Sequence, residues 1–459
     1  MKKFNSKRQP GFSILEIIIS LFVFISIISV VVFLSFESQE SFIKSQIFQE
    51  IIFESQNVST QTKLKNWNDI YSFEIEEEGF KKNQEVSFLY DYSKMVSQET
   101  SWLKYKNLNP AKIVSVVSDW SKSIGGDTCS NNIFDFKNFS IISEFDLGFS
   151  GASDIDVVRG TAYVSFNSSG QSDPDILVLD VKDAEDVKLI SSLNTGPGIN
   201  SVQAAGQYIF LANDSVTNQL QIVDVLEIEN PKLITQYRLL DNSSTTIPHR
   251  IFYKDKKIFL GMKGHNIGKE FHVMDVSNIY LPEELSSGEV GTQVNDITIR
   301  DNYAFLAVPN PRPLRIFDLE KMEEIFSYET GGNSKHGGQS LSIRDNLLTL
   351  SRSVGLVNSS YPELFIFDIS TPSETIFLDL KNIKGSIRAV LMKRENILVA
   401  NLKDGEELRV FLVSEDGEFA GSNTLDDFHY RPITLDCDSE TIYILVEGVT
   451  NKLVILKDE

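Results

Sequence analysis

The chain has 459 residues, of which 41% are hydrophobic and 23% charged, a composition that excludes wholesale disorder. Asp and Glu outnumber Lys and Arg by 64 to 43, and the net charge of -21 argues against nucleic acid as a bulk electrostatic partner. The chain contains two cysteines, which excludes a disulfide-stapled mini-domain and a cysteine-rich zinc module.

The N-terminus combines a basic leader with a long apolar run. Residues 1–10 carry four basic side chains and no acid, and residues 12–36 are almost wholly apolar with Glu16 as their one charge. Such a run is long enough to cross a bilayer as a helix. Because basic flanks stay in the cytoplasm, we expect the body of the protein beyond the run to be extracytoplasmic.

The segment Gly-Phe-Ser-Ile-Leu-Glu that ends at Glu16 resembles the cleavage and methylation signature of type IV prepilins. The resemblance implies that a prepilin peptidase cuts after Gly11 and that the new N-terminal residue, Phe12, is N-methylated. It also implies that Glu16 neutralises the N-terminal amine of a neighbouring subunit, since two opposite charges buried together cost less than either alone. The alternative is a plain anchor helix with a stray acid.

The helix is predicted to continue well past the apolar run. No glycine or proline interrupts the chain after Gly11 for more than 60 residues, and Ile43, Ile47 and Ile51 recur at helical spacing. We therefore expect a leader over residues 1–11 and a pilin-like helix over 12–62, with a transmembrane half over 12–36.

Residues 63–137 are predicted to form a small α+β segment, similar to a pilin head, followed by a linker. Alternating apolar residues over 71–75 and 86–90 predict a hairpin. Residues 111–120 fit either a strand or a short helix.

The remainder, residues 138–459, is periodic. A short apolar strand recurs every 43 to 51 residues and usually ends in aspartate. Its copies are Ile176–Asp180, Leu220–Asp224, Phe271–Asp275, Leu314–Asp318, Leu364–Asp368, Leu408–Leu412 and Leu453–Lys457. This period is typical of a β-propeller, and the copies predict seven blades, with six or eight as alternatives.

The two ends of the periodic region predict how the ring closes. Each of the first six copies is followed by another short strand, but the last copy is followed only by the end of the chain. A segment of the missing kind, Ser140–Phe145, lies upstream of the first blade. We expect it to complete the last blade and to remove a free sheet edge.

The recurring strand ends resemble the LVIVD repeat of bacterial surface and secreted proteins. The Trp-Asp signature is absent, since no tryptophan follows Trp120. In the LVIVD family the repeat defines a fold and implies no catalytic residues. The predicted fold class is thus mainly β, with a long N-terminal transmembrane helix, a small α+β middle segment and a C-terminal seven-bladed propeller.

No motif for catalysis or metal binding emerges from the sequence. The five histidines form no His-Glu-x-x-His or His-x-His pattern, and there is no phosphate-binding loop or nucleophile elbow. We therefore expect no enzyme activity, no cofactor and no metal. An enzyme would need convergent acid and base groups at the channel mouth.

Polar residues at the starts of the innermost strands are the candidate ligand surface, because these positions converge on one mouth of the channel. They are Asp154, Asn200, His249, Arg250, Asn295, Asp296, Gln339, Arg388 and Arg431. The alternative is that channel mouths are wet and polar in every propeller. Cys129 and Cys437 form a candidate disulfide that locks the ring, the alternative being two unrelated thiols.

These observations predict a minor pilin or pseudopilin-like surface protein whose propeller binds an extracellular protein or glycan. Its expected partners are the prepilin peptidase, other pilins or pseudopilins, and the membrane through the N-terminal helix. It would reside in the inner membrane before assembly and then on the pilus or cell surface. The alternative is an extracytoplasmic propeller scaffold, anchored in the inner membrane, that never enters a filament.

Overall fold

The fold is described from a computed structural model. The structure describes residues 72–77, 80–90, 93–102, 111–118, 128–129, 139–167, 173–239, 246–264, 269–330, 337–353, 361–393, 395–425 and 428–458. The chain divides into two compact units, Met1–Asp119 and Trp120–Glu459. Each unit is described by itself below.

The first unit contains a four-stranded antiparallel meander. Its strands are β1 (Phe73–Glu77), β2 (Phe80–Tyr90), β3 (Ser93–Trp102) and β4 (Ala111–Ser118). Both predicted alternating runs overlap strands, but β1 pairs antiparallel with residues 80–84 of β2, whereas residues 86–90 pair with β3. One face of the sheet is buried and polar: Gln84 and Gln98 lie opposite each other, and the Gln98 Nε2 atom donates to the Gln84 Oε1 atom at 2.8 Å.

The predicted fold class is wrong in its helical components. The middle segment was expected to be α+β, but its described residues are all strand, because side chains alternate between the two faces of long strands. The predicted helix over 12–62, with its transmembrane half 12–36, lies outside the described residues. Among the residues described, no helix is long and apolar enough to cross a membrane, and Pro372–Glu374 is a short 3-10 helix. The described chain is mainly β.

The second unit is a seven-bladed β-propeller, in which every blade is an antiparallel sheet of four main strands. The inner strands of blades one to seven are β7 (Ala152–Val158), β11 (Ile199–Ala205), β15 (Pro248–Lys254), β19 (Asp296–Arg300), β23 (Gly338–Arg344), β27 (Ile387–Lys393) and β31 (Pro432–Ser439). The second strands are β8 (Thr161–Phe166), β12 (Tyr208–Asn213), β16 (Lys257–Met262), β20 (Tyr303–Ala307), β24 (Leu347–Arg352), β28 (Asn396–Asn401) and β32 (Thr441–Val446).

The third strands are the apolar repeats found in the sequence. They are β9 (Ile176–Asp180), β13 (Leu220–Asp224), β17 (Phe271–Asp275), β21 (Leu314–Asp318), β25 (Leu364–Asp368), β29 (Leu408–Val413) and β33 (Lys452–Asp458). The outer strands are β10 (Lys188–Leu193), β14 (Lys232–Tyr237), β18 (Glu283–Gly288), β22 (Glu323–Tyr328), β26 (Ile376–Lys381), β30 (Phe419–Thr424) and, for blade seven, β6 (Phe139–Asp146).

The core of the propeller lies between neighbouring blades. Both faces of each third strand are buried, which explains why these strands read as continuous apolar runs. Phe210 of blade two and Tyr253 of blade three stack with ring centroids 5.3 Å apart in one such interblade cluster. A blade therefore buries apolar surface that it could not bury alone.

The predicted closure of the ring is confirmed. β6 pairs antiparallel with β33, with Phe145 opposite Leu453 and Ser140 opposite Lys457. Blade seven thus takes its outer strand from the segment that precedes blade one, and no outer strand of the described propeller is missing. The side chain of Asn451 adds a second link, since its Oδ1 atom accepts from the Ala152 amide at 2.9 Å.

The aspartate that ends most third strands has a structural role. In each of five blades its Oδ1 atom accepts from the backbone amide two residues later, which turns the chain toward the outer strand. These residues are Asp180, Asp224, Asp275, Asp318 and Asp368. The repeat signature in the sequence is therefore a turn signal and does not contribute a ligand site.

Buried acids just before three of the third strands secure the chain that follows the outer strand. The carboxylates of Asp175, Glu270 and Glu363 each accept from one or two backbone amides, at 2.6 to 2.9 Å. Burial raises the pKa of both Asp175 and Glu363. None of these acids was among the predicted site residues.

The cysteines lie at the closing blade. Cys437 on β31 is buried and disulfide-bonded, and the one other cysteine of the chain is Cys129. Cys129 belongs to β5 (Thr128–Cys129), a short strand that pairs parallel with the end of β31.

Candidate functional site

The seven inner strands surround a central channel with a cavity of about 400 Å³. We call the end where the inner strands begin the upper mouth and the end where they finish the lower mouth. Inner strands expose one backbone edge to the channel, so their free amides need acceptors. How those amides are satisfied decides which polar side chains remain available for a ligand.

A belt of side chains from five of the seven inner strands accepts hydrogen bonds from the next blade around the ring. At five of the seven blade junctions the acceptor is a carboxylate, hydroxyl or amide oxygen, and the donor is a backbone amide. The acceptors are Asp154, Asp156, Ser201, Gln203, Asp296, Ser340, Ser342, Asp436 and Asp438. The belt joins the blades along the channel.

Arg250 spans the channel where the belt is interrupted. It lies on blade three, and its guanidinium contacts Asp154 of blade one through Nη1 and Asp296 of blade four through Nε, each at 3.0 Å. Its pKa lies above the ordinary arginine value: burial lowers it, but the two carboxylates outweigh that effect. Removing one member of such a buried set would leave an uncompensated charge, so these three predicted site residues hold the ring together.

Asp156 is the exceptional carboxyl of the channel. Burial is the main cause that raises its pKa to about 7, and the neighbouring Asp154 charge adds to the effect, while a 2.6 Å hydrogen bond from the Ala204 amide opposes it. The group therefore exchanges a proton near neutral pH. Asp156 was not among the predicted site residues.

Four of the other predicted site residues lie at β-bulges of the inner strands. In six blades the pairing between the first two strands skips one residue, which is a β-bulge near the start of the inner strand. The skipped residues are Ser153, Asn200, His249, Gln339, Arg388 and Ile433. The predicted ring therefore combines belt residues with bulge residues at the upper mouth.

Asn200 and Lys263 organise one side of the upper mouth. The Lys263 ammonium lies 2.7 Å from the Asp214 carboxylate and 3.2 Å from the Asn200 Oδ1 atom. Asn200 also donates to the Pro248 carbonyl at 2.7 Å and so links blades two and three. The side chains of Lys263 and Asp214 are each about one-third exposed, which leaves the pair accessible from solvent.

His249 lies beside this pair. Burial, together with the positive charges of Arg250 and Lys263, lowers its pKa to about 4, so the ring is neutral at neutral pH. Its Nδ1 atom is buried and has no hydrogen-bond partner among the residues described. A neutral imidazole can either donate or accept a hydrogen bond to a ligand.

Arg388 and Arg431 lie near the junction of blades one and seven. Arg388 lines a cavity of about 270 Å³ together with Glu447 and Asn451, and its buried Nε atom has no hydrogen-bond partner in the described part of the chain. Arg431 lies just before β31 and not at the bulge; its Nη1 atom is 3.4 Å from a Glu447 carboxylate oxygen. The residue that blade seven places at the bulge is Ile433.

The two remaining predicted residues are at the upper mouth of blades four and five. The Asn295 Nδ2 atom donates to the Gly338 carbonyl and so links blades four and five, as Asn200 links blades two and three through the Pro248 carbonyl. Gln339 is the half-buried bulge residue of blade five. Asn295 therefore serves blade packing.

A signal in the sequence could have revealed the residues that were missed. Belt acceptors occur as polar pairs two residues apart within otherwise apolar strands, as in Asp154 with Asp156 and Ser340 with Ser342. Such pairs on one face of a buried strand indicate an edge that needs acceptors.

Among the described residues, no group of three His, Cys, Asp or Glu side chains could hold a metal ion.

The comparisons with known proteins identify the fold. No protein-family model and no curated protein matches the chain. A solved structure of catalytically inactive virginiamycin B lyase from Staphylococcus aureus with quinupristin is 12% identical, with a TM-score of 0.50 over 70% of this chain and 99% of that one. The β-propeller domain of Cps50 (Swd1) from Myceliophteria thermophila is 11% identical, with a TM-score of 0.48 over 69% of this chain and 99% of that one. At such identities the first likeness shows the fold alone.

Asp156→Asn is expected to stabilise the protein at pH 8 by about 1–3 kcal/mol. The folded protein keeps the proton on Asp156 up to a pH of about 7, whereas the unfolded chain releases it near 4. The stability due to this group is therefore complete at low pH and is lost as the pH rises through 7. Urea unfolding from pH 5 to 8 checks this prediction: the advantage of the variant should grow with pH, and Asp416→Asn, at an exposed turn, should match the wild type. Equal pH profiles for Asp156→Asn and wild type would refute it.

Proposed function

We propose that this protein is a binding scaffold whose propeller recognises a polar extracellular ligand, protein or glycan, at the upper mouth. The observation that carries the proposal is the cluster of His249, Lys263 and Asp214. It combines an accessible ion pair with a buried imidazole nitrogen that lacks a hydrogen-bond partner in the described structure. Ligand sites usually contain a few fixed polar groups of this kind at a concave surface.

The position of the channel charges favours binding over catalysis as the role of the propeller. Asp154 and Asp296 form ion pairs with Arg250, and most other channel acids accept hydrogen bonds from backbone amides. These groups are therefore occupied in holding blades together. A general acid or base must be within hydrogen-bond reach of the proton that it transfers. The polar groups of the upper mouth suit recognition of a ligand.

We further propose that the chain reaches the cell surface as a minor pilin or pseudopilin. The support is the prepilin-type signature itself, with Gly11 as the cleavage position, Phe12 as the methylated residue and Glu16 as the acid that pairs with a neighbour's amine. The proposed partners are the prepilin peptidase and other pilins or pseudopilins. A scaffold that is held at the inner membrane and does not enter a filament is the second candidate, favoured by the bulk of a seven-bladed head.

Binding at the upper mouth can be tested with full-length protein in nonionic detergent on arrays of glycans and extracellular matrix proteins. His249→Ala and Lys263→Ala should each weaken a bound ligand about tenfold, because each removes a hydrogen bond made in a partly buried site. Lys232→Ala, an exposed lysine on an outer strand, is the matched control and should bind like the wild type. Ligands that bind all three variants equally would contradict the proposed site.

Processing and assembly are tested together in cells that express a prepilin peptidase. Mass spectrometry should find the mature protein beginning at a methylated Phe12, and Gly11→Ala should accumulate as precursor. Glu16→Ala should be cleaved but depleted from sheared filaments, since the buried amine would lose its counter-charge. Glu37→Ala, an acid just beyond the apolar run, is the control and should assemble normally. Intact Met1 in exported protein would exclude the pilin proposal, and cleaved protein confined to membranes would favour the scaffold.

A further inference from the structure

The lower mouth of the channel carries a concentration of positive charge. The last residue of four consecutive inner strands, in blades three to six, is basic in every case. These residues are Lys254, Arg300, Arg344 and Lys393. In a chain with a net charge of -21, four cations on adjacent strands at one end of a channel are a marked local reversal.

The two arginines retain unused hydrogen-bonding capacity. Arg300 donates through Nη2 to the Asn346 side chain at 2.7 Å, but its buried Nη1 atom has no hydrogen-bond partner among the described residues. The Nε atom of Arg344 is also buried and without a hydrogen bond there. Buried guanidinium donors are satisfied in nearly all proteins, so these atoms point to a missing acceptor.

The nearby acids do not supply that acceptor. Asp301 and Asp345 are 77% and 89% exposed, and each lies beyond ordinary hydrogen-bond distance from the Nε atom of the arginine beside it, at 3.5 and 3.8 Å. Asp438, on the opposite side of the ring, accepts from the Gly160 amide at 2.6 Å. Solvent screens the two exposed carboxylates, so they offset the neighbouring guanidinium charges only weakly.

The channel gives access to two of these cations. Lys254 and Arg300 line the central cavity of about 400 Å³, together with Asp301. The side chains of Arg300 and Arg344 are 26% and 20% exposed, so a small anion could reach both while being largely withdrawn from water. Partial withdrawal from water strengthens charge-assisted hydrogen bonds.

We propose that the lower mouth binds a tetrahedral oxyanion, the phosphate or sulfate group of a ligand, through Arg300 and Arg344 with Lys254 as a further cation. The planar guanidinium fork suits an oxyanion with two or more acceptor oxygens. The site lies at the end of the channel opposite His249 and Lys263, so it is independent of the binding function proposed for the upper mouth.

The test uses full-length protein in nonionic detergent and a low-salt buffer free of both anions. Isothermal titration with sodium phosphate and, separately, sodium sulfate should give saturable binding of at least one, and the preferred anion identifies the ligand group. Arg300→Gln and Arg344→Gln should each weaken binding about tenfold, the value of one charge-assisted hydrogen bond. The bound anion should also raise the melting temperature of the wild type more than that of either variant.

The matched control is Arg312→Gln, which removes an exposed arginine of the same blade that pairs with Glu324. It should bind the anion like the wild type. Arg300→Lys keeps the charge but loses the fork, so it should bind more weakly than the wild type and more tightly than Arg300→Gln; it also replaces that variant if Arg300→Gln does not fold. Absence of saturable binding to either anion, or an equal loss in Arg312→Gln, would overturn the proposal.

Discussion

The pairing of β6 with β33 is the contact on which the rest of the propeller depends. Each blade buries its apolar faces against two neighbours, so blades one and seven are complete only when they meet. Because the last blade lacks its own outer strand, the chain closes the ring with a strand made before the first blade. Val164 of blade one then packs in one cluster with Tyr443 of blade seven. The seven inner strands surround a channel only when the ring is closed.

Closure explains how the channel charges are divided. The free edges of the inner strands need acceptors, and the acids near the upper and middle channel meet that need or pair with Arg250. The fold itself therefore supplies the hydrogen-bond or ion-pair partners of these acids. The two mouths are left with different chemistry: mixed polar groups around His249 and Lys263 above, and cations around Arg300 and Arg344 below.

The blades could be predicted from the sequence, since the third strands are continuous apolar runs and five of the seven end in a turn-forming aspartate. The closure could be predicted because the segment before blade one matches the missing outer strand. The exact set of mouth residues could not. A one-residue bulge near the start of most inner strands shifts alternate side chains to another face, and loops of varying length hide that shift in the spacing. Arg431 was thus assigned to a position that Ile433 occupies. The ambiguity in the middle segment lay at residues 111–120, because a short apolar run fits a strand or a helix by periodicity alone; pairing with β3 makes residues 111–118 strand β4.

The most direct test of this account is native-state hydrogen exchange of the full-length protein, followed by mass spectrometry of peptides that cover β6 and β33. If β6 closes the ring, amides over 139–146 should be protected as strongly as those of β33 and should exchange together with them. The four-stranded sheets of other blades provide the internal reference. Rapid exchange of residues 139–146 beside a protected β33 would contradict the closure on which the account depends.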